Sequence, residues 1–97
     1  MTQLTIIANI IAKPEHVELV KRELLALISK TVAEPGCLNY DLHQSNEHPE
    51  QFLFHENWQS RALWQQHMAS DHIKAFGKAV DGAIASSQIT EMTKIVE

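Results

Sequence analysis

The sequence predicts an α+β fold, a ferredoxin-like plait in which helices cover one face of a four-stranded antiparallel sheet. Strand-like and helix-like segments follow one another in the order β-α-β-β-α-α-β, which pairs two β-α-β halves. Hydrophobic residues make up 44% of the 97 residues, enough for a core, and no linker or internal repeat divides the chain. We therefore expect residues 1–97 to form a single domain.

The first third of the chain predicts a strand followed by a long helix. Residues 4–12 are rich in β-branched side chains and end at Lys13-Pro14, where proline stops a ladder but suits the first turn of a helix. From Pro14 to about Ala33, apolar residues recur at spacings of three and four, and charged residues fill the other positions. This spacing predicts an amphipathic helix of about five turns.

The middle of the chain predicts a β-hairpin. Residues 37–44 and 51–58 alternate with a period of two, and the turn-forming segment 45–50 separates them. One face of the second strand carries Phe52, Phe54, Glu56 and Trp58. The pattern leaves the register open, because a shift of one residue would move Tyr40 from one sheet face to the other.

The last third predicts two short helices and a final strand. Ser60 and Ser70 are suitable N-caps for the two helices, and we expect a kink near Ala69 between them. Gly82 can close the second helix. Alternation over residues 86–96 then predicts the last strand.

Both faces of the first strand are largely apolar. One face carries Leu4, Ile6, Ala8 and Ile10, and the other carries Thr5, Ile7, Asn9 and Ile11. A plait leaves one sheet face bare, and an apolar face of this kind is a large exposed patch for a monomer. We therefore expect a homodimer that stacks the two open sheets, and keep partial cover by the chain ends as the alternative. A charge at Ile6 should weaken association if its side of the strand is the one that faces the partner.

Composition excludes several function classes. The three glycines are too widely spaced for a phosphate-binding loop, and the scattered basic residues in a chain of net charge -4 argue against a nucleic-acid partner. The apolar runs are too short to span a membrane, and the N-terminus lacks the features of a signal peptide, so we expect a cytoplasmic protein. The single cysteine, Cys37, excludes an internal disulfide and has no nucleophile motif around it.

The six histidines are the unusual count, and two of them suggest chemistry. His67 and His72 lack the spacing of a metal-binding motif, so we expect no metal site. Trp64 precedes His67 by three residues and Phe76 follows His72 by four, which would place imidazoles beside aromatic surface on a helix. Such a surface could bind a flat apolar substrate and remove a proton from it. The alternative is that the aromatic rings are core and the histidines are structural.

Two polar residues stand on otherwise apolar strands. Glu56 lies on a face with phenylalanine and tryptophan, and Asn9 lies among isoleucines. A carboxylate on an apolar face must be paired, hydrogen-bonded or functional, and a buried amide raises the same question. Both a structural pairing and a catalytic role remain open for each residue.

Four segments in order resemble the antibiotic biosynthesis monooxygenase (ABM) domain family. They are residues 10–14 (IIAKP), 34–40 (EPGCLNY), 56–58 (ENW) and 67–76 (HMASDHIKAF). The resemblance covers residues 4–96. It implies a dimeric α+β barrel in which each subunit holds a ligand pocket between its helices and its sheet.

The resemblance also implies a class of reaction. Branches of the family oxidise quinols or phenols with molecular oxygen and no cofactor, degrade an autoinducer, or cleave haem. Asn9 matches the haem-cleaving branch, but His67 and Gly77 stand where that branch has its tryptophan and histidine, so the haem pattern is incomplete. The His67/His72 pair is more similar to the other two branches, and the sequence does not choose between them.

We therefore expect a cofactor-independent monooxygenase acting on a small phenolic or quinol-like molecule, without flavin, haem or metal. His67 or His72 is the expected base, with Asn9 and Glu56 as polar catalytic groups. The expected substrate-binding wall consists of Trp64, Phe54, Phe76 and Tyr40. An isomerase of a small hydroxyketone, an autoinducer-degrading enzyme and a non-catalytic ligand-binding stress protein are the alternatives.

Overall fold

Seven main elements follow one another in the predicted order β-α-β-β-α-α-β. The computed structural model describes residues 3–95. The strands and helices are β1 (Leu4–Ala12), α1 (Val17–Val32), β2 (Cys37–Gln44), β3 (Gln51–Trp58), α2 (Arg61–Met68), α3 (Asp71–Ala79) and β4 (Ile84–Met92), with a 3₁₀ turn at Pro14–His16. The strands form one antiparallel sheet in the order β2-β3-β1-β4, which confirms the predicted ferredoxin-like α+β fold.

Strand β4 differs from the prediction at both ends. It begins at Ile84 rather than residue 86, because it already pairs with Ala12 there, beyond an irregularity in the ladder. It ends at Met92 rather than Val96, because Met92 pairs with Thr5 and β1 offers only one further residue to pair with. The predicted strand residue Val96 lies outside the described residues.

The hairpin register, left open by the sequence, places Tyr40 on the helix-covered face. Tyr40 is the partner of Glu56, and Leu42 is the partner of Phe54. A register shift between Cys37 and Asn39 accommodates one extra residue on β2. The pairing is continuous from Gln44 to Asn39, so Tyr40 shares a face with Phe54, and Tyr40 is itself buried.

The helices pack on the sheet face that carries Ile6, and the core lies between them. Val20 and Leu24 of α1 are fully buried against β-strand side chains such as Phe54 and Trp58. Burial of each such side chain contributes about 1.5–3 kcal/mol relative to exposure. Only 1% of Ile6 is exposed, so its side of β1 faces the helices, and a charge there would disrupt the core instead of probing a partner surface.

The open face of the sheet is less apolar than the sequence suggested. Its apolar residues are concentrated on β1, where Ile7 and Ile11 alternate with Thr5 and the exposed Asn9. Thr5 donates to Asn57 Oδ1 at 2.6 Å, and Asn57 donates to Asn39 Oδ1 at 2.7 Å, so a polar network crosses one end of this face. The predicted homodimer stays a prediction. Within residues 3–95 no helix is long and apolar enough to cross a membrane.

Two serine caps set the directions of the last two helices. Ser60 Oγ accepts from the Leu63 amide at 3.3 Å, and Ser70 Oγ accepts from the Ile73 amide at 3.4 Å. Helix α2 ends at Met68, and the chain turns before α3 begins at Asp71, in agreement with the kink predicted near Ala69. This break places His67 in the last turn of α2 and His72 in the first turn of α3.

Candidate functional site

One carboxylate oxygen joins the two histidines. His67 Nδ1 lies 2.6 Å from Glu34 Oε2, and His72 Nε2 lies 2.8 Å from the same oxygen. An ionised carboxylate only accepts hydrogen bonds, so each of these ring nitrogens carries a proton. Two neutral imidazoles bound in this way each keep a lone pair on the other ring nitrogen, Nε2 in His67 and Nδ1 in His72.

The turn after α1 holds Glu34 in place. Gly36 has a positive φ of 86°, a conformation that glycine adopts without strain, and its carbonyl accepts from the Gln59 amide at 2.9 Å. A side chain at Gly36 would collide with Leu63 of α2. The close approach of this turn to α2 brings the preceding carboxylate within reach of His67.

His67 is nearly inaccessible to solvent and is surrounded by aromatic rings. Its residue exposure is 1%. Its ring meets Tyr40 edge-on at a centroid distance of 5.5 Å and lies 4.9 Å from the Trp58 ring. Burial lowers the pKa of His67, and contact with the Glu34 carboxylate opposes that shift. The imidazole is therefore neutral at pH 7, which is the form that can accept a proton.

A cavity of about 160 Å³ lies between the helices and the sheet. Most of its wall is apolar, and its aromatic members are Tyr40, Phe54, Trp64 and Phe76. Two groups that can transfer protons, His67 and Glu56, also line it. Tyr40 stacks on Phe54 with ring centroids 4.1 Å apart, which gives one flat side to the cavity. An enclosed apolar cavity of about 150 Å³ is large enough for one aromatic ring.

Glu56 is a buried carboxyl group that accepts a hydrogen bond from a tryptophan. Only 4% of the residue is exposed, and the Trp58 indole donates to Glu56 Oε1 at 2.9 Å. Burial raises the pKa of Glu56 to about 7, although the indole hydrogen bond opposes the shift. Near neutral pH this side chain can therefore hold or release a proton.

Most of the residues predicted for the site line this cavity. The side chains of the other two, Asn9 and His72, lie elsewhere. Asn9 borders the cavity along β1, but strand alternation directs its side chain to the open face of the sheet, and the residue is exposed. His72 borders a different pocket, at the surface between α1 and α3. We therefore retain His67, rather than His72, as the candidate base.

Glu34 is the site residue that sequence reasoning missed. It lies in segment 34–40, which carried part of the family resemblance, but a glutamate before Pro-Gly is also ordinary at a helix end. Its histidine partners are 33 and 38 residues away in sequence. Only the packing of three helices shows that they meet.

Cys37 and Tyr40 are not reactive nucleophiles at neutral pH. Burial, followed by the nearby Glu56 and Glu34 carboxylates, raises the pKa of the Cys37 thiol to about 11. Burial also raises the pKa of Tyr40 well above its usual value of 10, with Glu56 contributing. Both groups therefore stay protonated, and Tyr40 offers the cavity an aromatic face rather than a base.

Comparison with known proteins agrees with this architecture. The family profile described as "Antibiotic biosynthesis monooxygenase" matches residues 3–79. The chain belongs to this family. Its α+β fold and its cavity, which has the size of a small molecule, agree with that assignment. The family points to a small-molecule substrate without naming it.

Individual relatives span the chain. A Pseudomonas aeruginosa protein of known structure, PA3566, is 34% identical with a TM-score of 0.94, over 99% of this chain and 97% of that one. A mycobacterial protein named "Putative monooxygenase Rv0793" is 36% identical over 69% of this chain and 65% of its own length. The Escherichia coli protein named "Probable quinol monooxygenase YgiN" is 26% identical over 89% of this chain and 92% of its own.

Not every relative is matched over its full length. The Synechocystis protein sll1783 is 28% identical over 97% of this chain, but the match spans only 64% of that protein. The chain thus spans slightly less than two thirds of sll1783 and of Rv0793. The names of these two relatives describe those proteins.

Proposed function

We propose that this protein is a monooxygenase that removes a proton from a small phenolic or quinol-like substrate and lets the resulting anion react with molecular oxygen, without flavin, haem or metal. The observation that carries the proposal is the Glu34–His67 contact of 2.6 Å at the wall of an apolar cavity. Because Nδ1 is bound to the carboxylate, Nε2 is the nitrogen left to accept a substrate proton. The monooxygenase names of Rv0793 and YgiN support the reaction class.

Transfer of a proton from a phenol to His67 is unfavourable in free energy, but the small amount of phenolate that forms can support turnover. A phenol resembles tyrosine, with a pKa of about 10, and imidazole has a pKa of about 6.5, so transfer to a free imidazole costs about 5 kcal/mol. Burial of His67 adds to this cost, whereas Glu34 stabilises the imidazolium that forms. The small population of anion is consumed by its reaction with oxygen, which draws the proton transfer forward.

The reaction balances without an external reductant. A phenol with a hydrogen at its para carbon plus O₂ gives a para-quinone plus water. The phenolate gives one electron to O₂, and the two radicals combine into a peroxide at the ring carbon. The O–O bond then breaks as the ring loses its para hydrogen as a proton, so one oxygen atom stays on the ring and the other leaves as hydroxide. Protonated Glu56, which lines the same cavity, supplies the proton that turns this hydroxide into water. The proton that His67 took from the phenol then passes to Glu56, which returns both groups to their starting states.

The cavity limits the substrate by size and polarity. Its volume of about 160 Å³ suits one aromatic ring with small substituents. Its aromatic wall favours a flat ring, and its neutral acid and neutral base favour an uncharged phenol over a carboxylate. The aromatic residues Tyr40, Phe54, Trp64 and Phe76 support this assignment as substrate-binding groups, whereas the position of the Asn9 side chain offers no support for a catalytic role.

Oxygen uptake tests the proposal. A panel of one-ring and two-ring phenols and hydroquinones would be incubated with the protein in an oxygen-electrode cell, and the rate compared with that of His67→Gln. His48→Gln is the matched control, because His48 is an exposed histidine in the 45–50 turn. Uptake that requires His67 and a phenol supports the proposal. Absence of uptake with every compound, or equal uptake by His67→Gln, contradicts it.

A second candidate function is isomerisation of a small hydroxyketone. Two groups that can transfer protons, His67 and Glu56, line one cavity, and a proton shift between neighbouring carbons needs an acid and a base. Exchange of substrate carbon-bound hydrogen with deuterated water in the absence of oxygen uptake would identify this activity.

We also propose that the chain acts as a homodimer through the open face of the sheet. Ile7, Ile11 and Leu53 form a partly exposed apolar group on that face, and Asn9 lies among them. Removing this group from water would stabilise an association of two chains. Such an association would also cover Asn9.

A further inference from the structure

Glu34, His67 and His72 direct three metal-ligating atoms toward one point. Glu34 Oε2, His67 Nδ1 and His72 Nε2 lie within 4.8 Å of one another. The two ring nitrogens approach the same carboxylate oxygen at 2.6 and 2.8 Å. Two imidazoles and one carboxylate form a donor set that proteins use for divalent transition metals with open coordination positions.

A metal ion would require only a small rearrangement. With bonds of about 2.0–2.1 Å and tetrahedral angles, neighbouring ligand atoms of zinc stand about 3.3 Å apart. The present contacts of 2.6 and 2.8 Å must therefore lengthen by about 0.7 and about 0.5 Å, as the ion takes the place of the two protons between these atoms. Glu34 can make this movement, since its side chain is 15% exposed and, within residues 3–95, these two contacts are the side-chain hydrogen bonds that hold it.

One of the three ligands, His72, borders a pocket at the protein surface. The side chain of His72 is 15% exposed and borders a surface pocket of about 110 Å³ between α1 and α3. Glu23 and Lys30 also border this pocket, so its two formal charges offset each other. Leu27 and Phe76 line both this pocket and the cavity between the helices and the sheet, so they form a common wall between the two.

We propose that Glu34, His67 and His72 bind one divalent transition metal ion, with Zn²⁺ as the best match. Zinc accepts nitrogen and oxygen ligands together and imposes little geometric preference of its own, which suits a site with three protein ligands and an open position for water. Binding itself does not depend on the proposed oxygenase activity.

Zinc binding would have a consequence for the base. A neutral histidine bound to metal through Nδ1 carries its single proton on Nε2, so the proton of His67 would move from Nδ1 to Nε2 and Nε2 would change from a proton acceptor to a donor. This step rests on the proposed function, in which Nε2 removes the substrate proton. The bound ion would then inhibit oxygen consumption while leaving the cavity intact.

Calorimetric titration with zinc chloride tests the site. We expect one zinc ion per chain in the wild-type protein. Loss of a residue that only hydrogen-bonds to a metal ligand typically weakens metal affinity by roughly 10–100-fold. Glu34→Gln and His72→Ala each remove a ligand, so each should weaken zinc affinity by more than this. His48→Ala should bind as the wild type does. Cobalt chloride provides a second readout, because Co²⁺ in a tetrahedral nitrogen and oxygen site absorbs visible light.

The two variants are chosen to fold. Glutamine keeps the shape of Glu34, and His72 is partly exposed, whereas the buried His67 is left unchanged; circular dichroism would verify each fold. Absence of binding heat and of the cobalt spectrum in the wild type would overturn the proposal, as would wild-type affinity in both folded variants. If zinc binds but no phenol supports oxygen uptake, only the proposed function fails. If zinc binds and uptake continues unchanged at saturation, the inferred change at Nε2 is wrong.

Discussion

Replacement of Glu56 by glutamine should change how the stability of the protein depends on pH. Glu56 has a pKa of about 7 in the folded protein, against an ordinary value of 4.5, because burial disfavours the charged carboxylate. Below pH 4.5 the group is protonated in both the folded and the unfolded chain and has no effect. Between pH 4.5 and 7 the unfolded chain loses the proton and the folded chain keeps it, so stability falls as the pH rises.

The size of the effect follows from the difference in pKa. A difference of about 2.5 units corresponds to about 3 kcal/mol at 1.36 kcal/mol per unit. The wild-type protein should therefore lose about 3 kcal/mol between pH 4.5 and pH 8 relative to Glu56→Gln. Glutamine keeps the shape and the hydrogen-bond acceptor for Trp58 but cannot ionise.

Denaturant unfolding at several pH values from 4.5 to 8 measures this difference. Other groups near Glu56, including Tyr40, Glu34 and His67, are present in both proteins, so their contributions largely cancel in the comparison. Glu47→Gln in the exposed 45–50 turn is the control and should follow the wild type. Parallel curves for wild type and Glu56→Gln would refute the reasoning, since they would show that burial does not disfavour the Glu56 carboxylate.

The other predictions concern catalysis, the turn and the dimer. His67→Ala should reduce turnover of a phenolic substrate by about 10²–10⁴-fold through loss of the base, and unchanged turnover in the oxygen-electrode assay would exclude that role. Gly36→Ala should destabilise the protein by roughly 2 kcal/mol or more, because φ is positive there and the new methyl group meets Leu63. Urea unfolding measures this loss of stability. A Gly36→Ala protein as stable as the wild type would contradict the close packing of Gly36 against Leu63. Ile7→Lys should convert a homodimer to monomer in analytical ultracentrifugation. A wild-type protein that sediments as a monomer would refute the dimer itself.

The sequence predicts the order of elements well because each signal is local. The serine caps at Ser60 and Ser70 and the break between their helices follow from residues adjacent in the chain. The end of β4 at Met92 does not, since it depends on where β1 begins and not on the alternation within β4 itself.

The candidate site divides in the same way. His67 and Glu56 could be singled out because each is unusual among its own neighbours. Glu34 could not, because its role arises from contacts with residues more than thirty positions away. The Tyr40 face depended on the hairpin register next to the 45–50 turn, and the Ile6 face depended on which side of the sheet the helices cover.

The central claim is that His67, held by Glu34, is the base of an oxygen-consuming reaction. Turnover under ¹⁸O₂ with a one-ring phenol, followed by mass spectrometry of the quinone, tests it most directly when wild type, His67→Gln and His48→Gln are compared. We predict one labelled oxygen atom per product molecule from the wild type and His48→Gln, and almost no product from His67→Gln. Labelled product formed at the wild-type rate by His67→Gln, or no labelled product from the wild type, would contradict the claim.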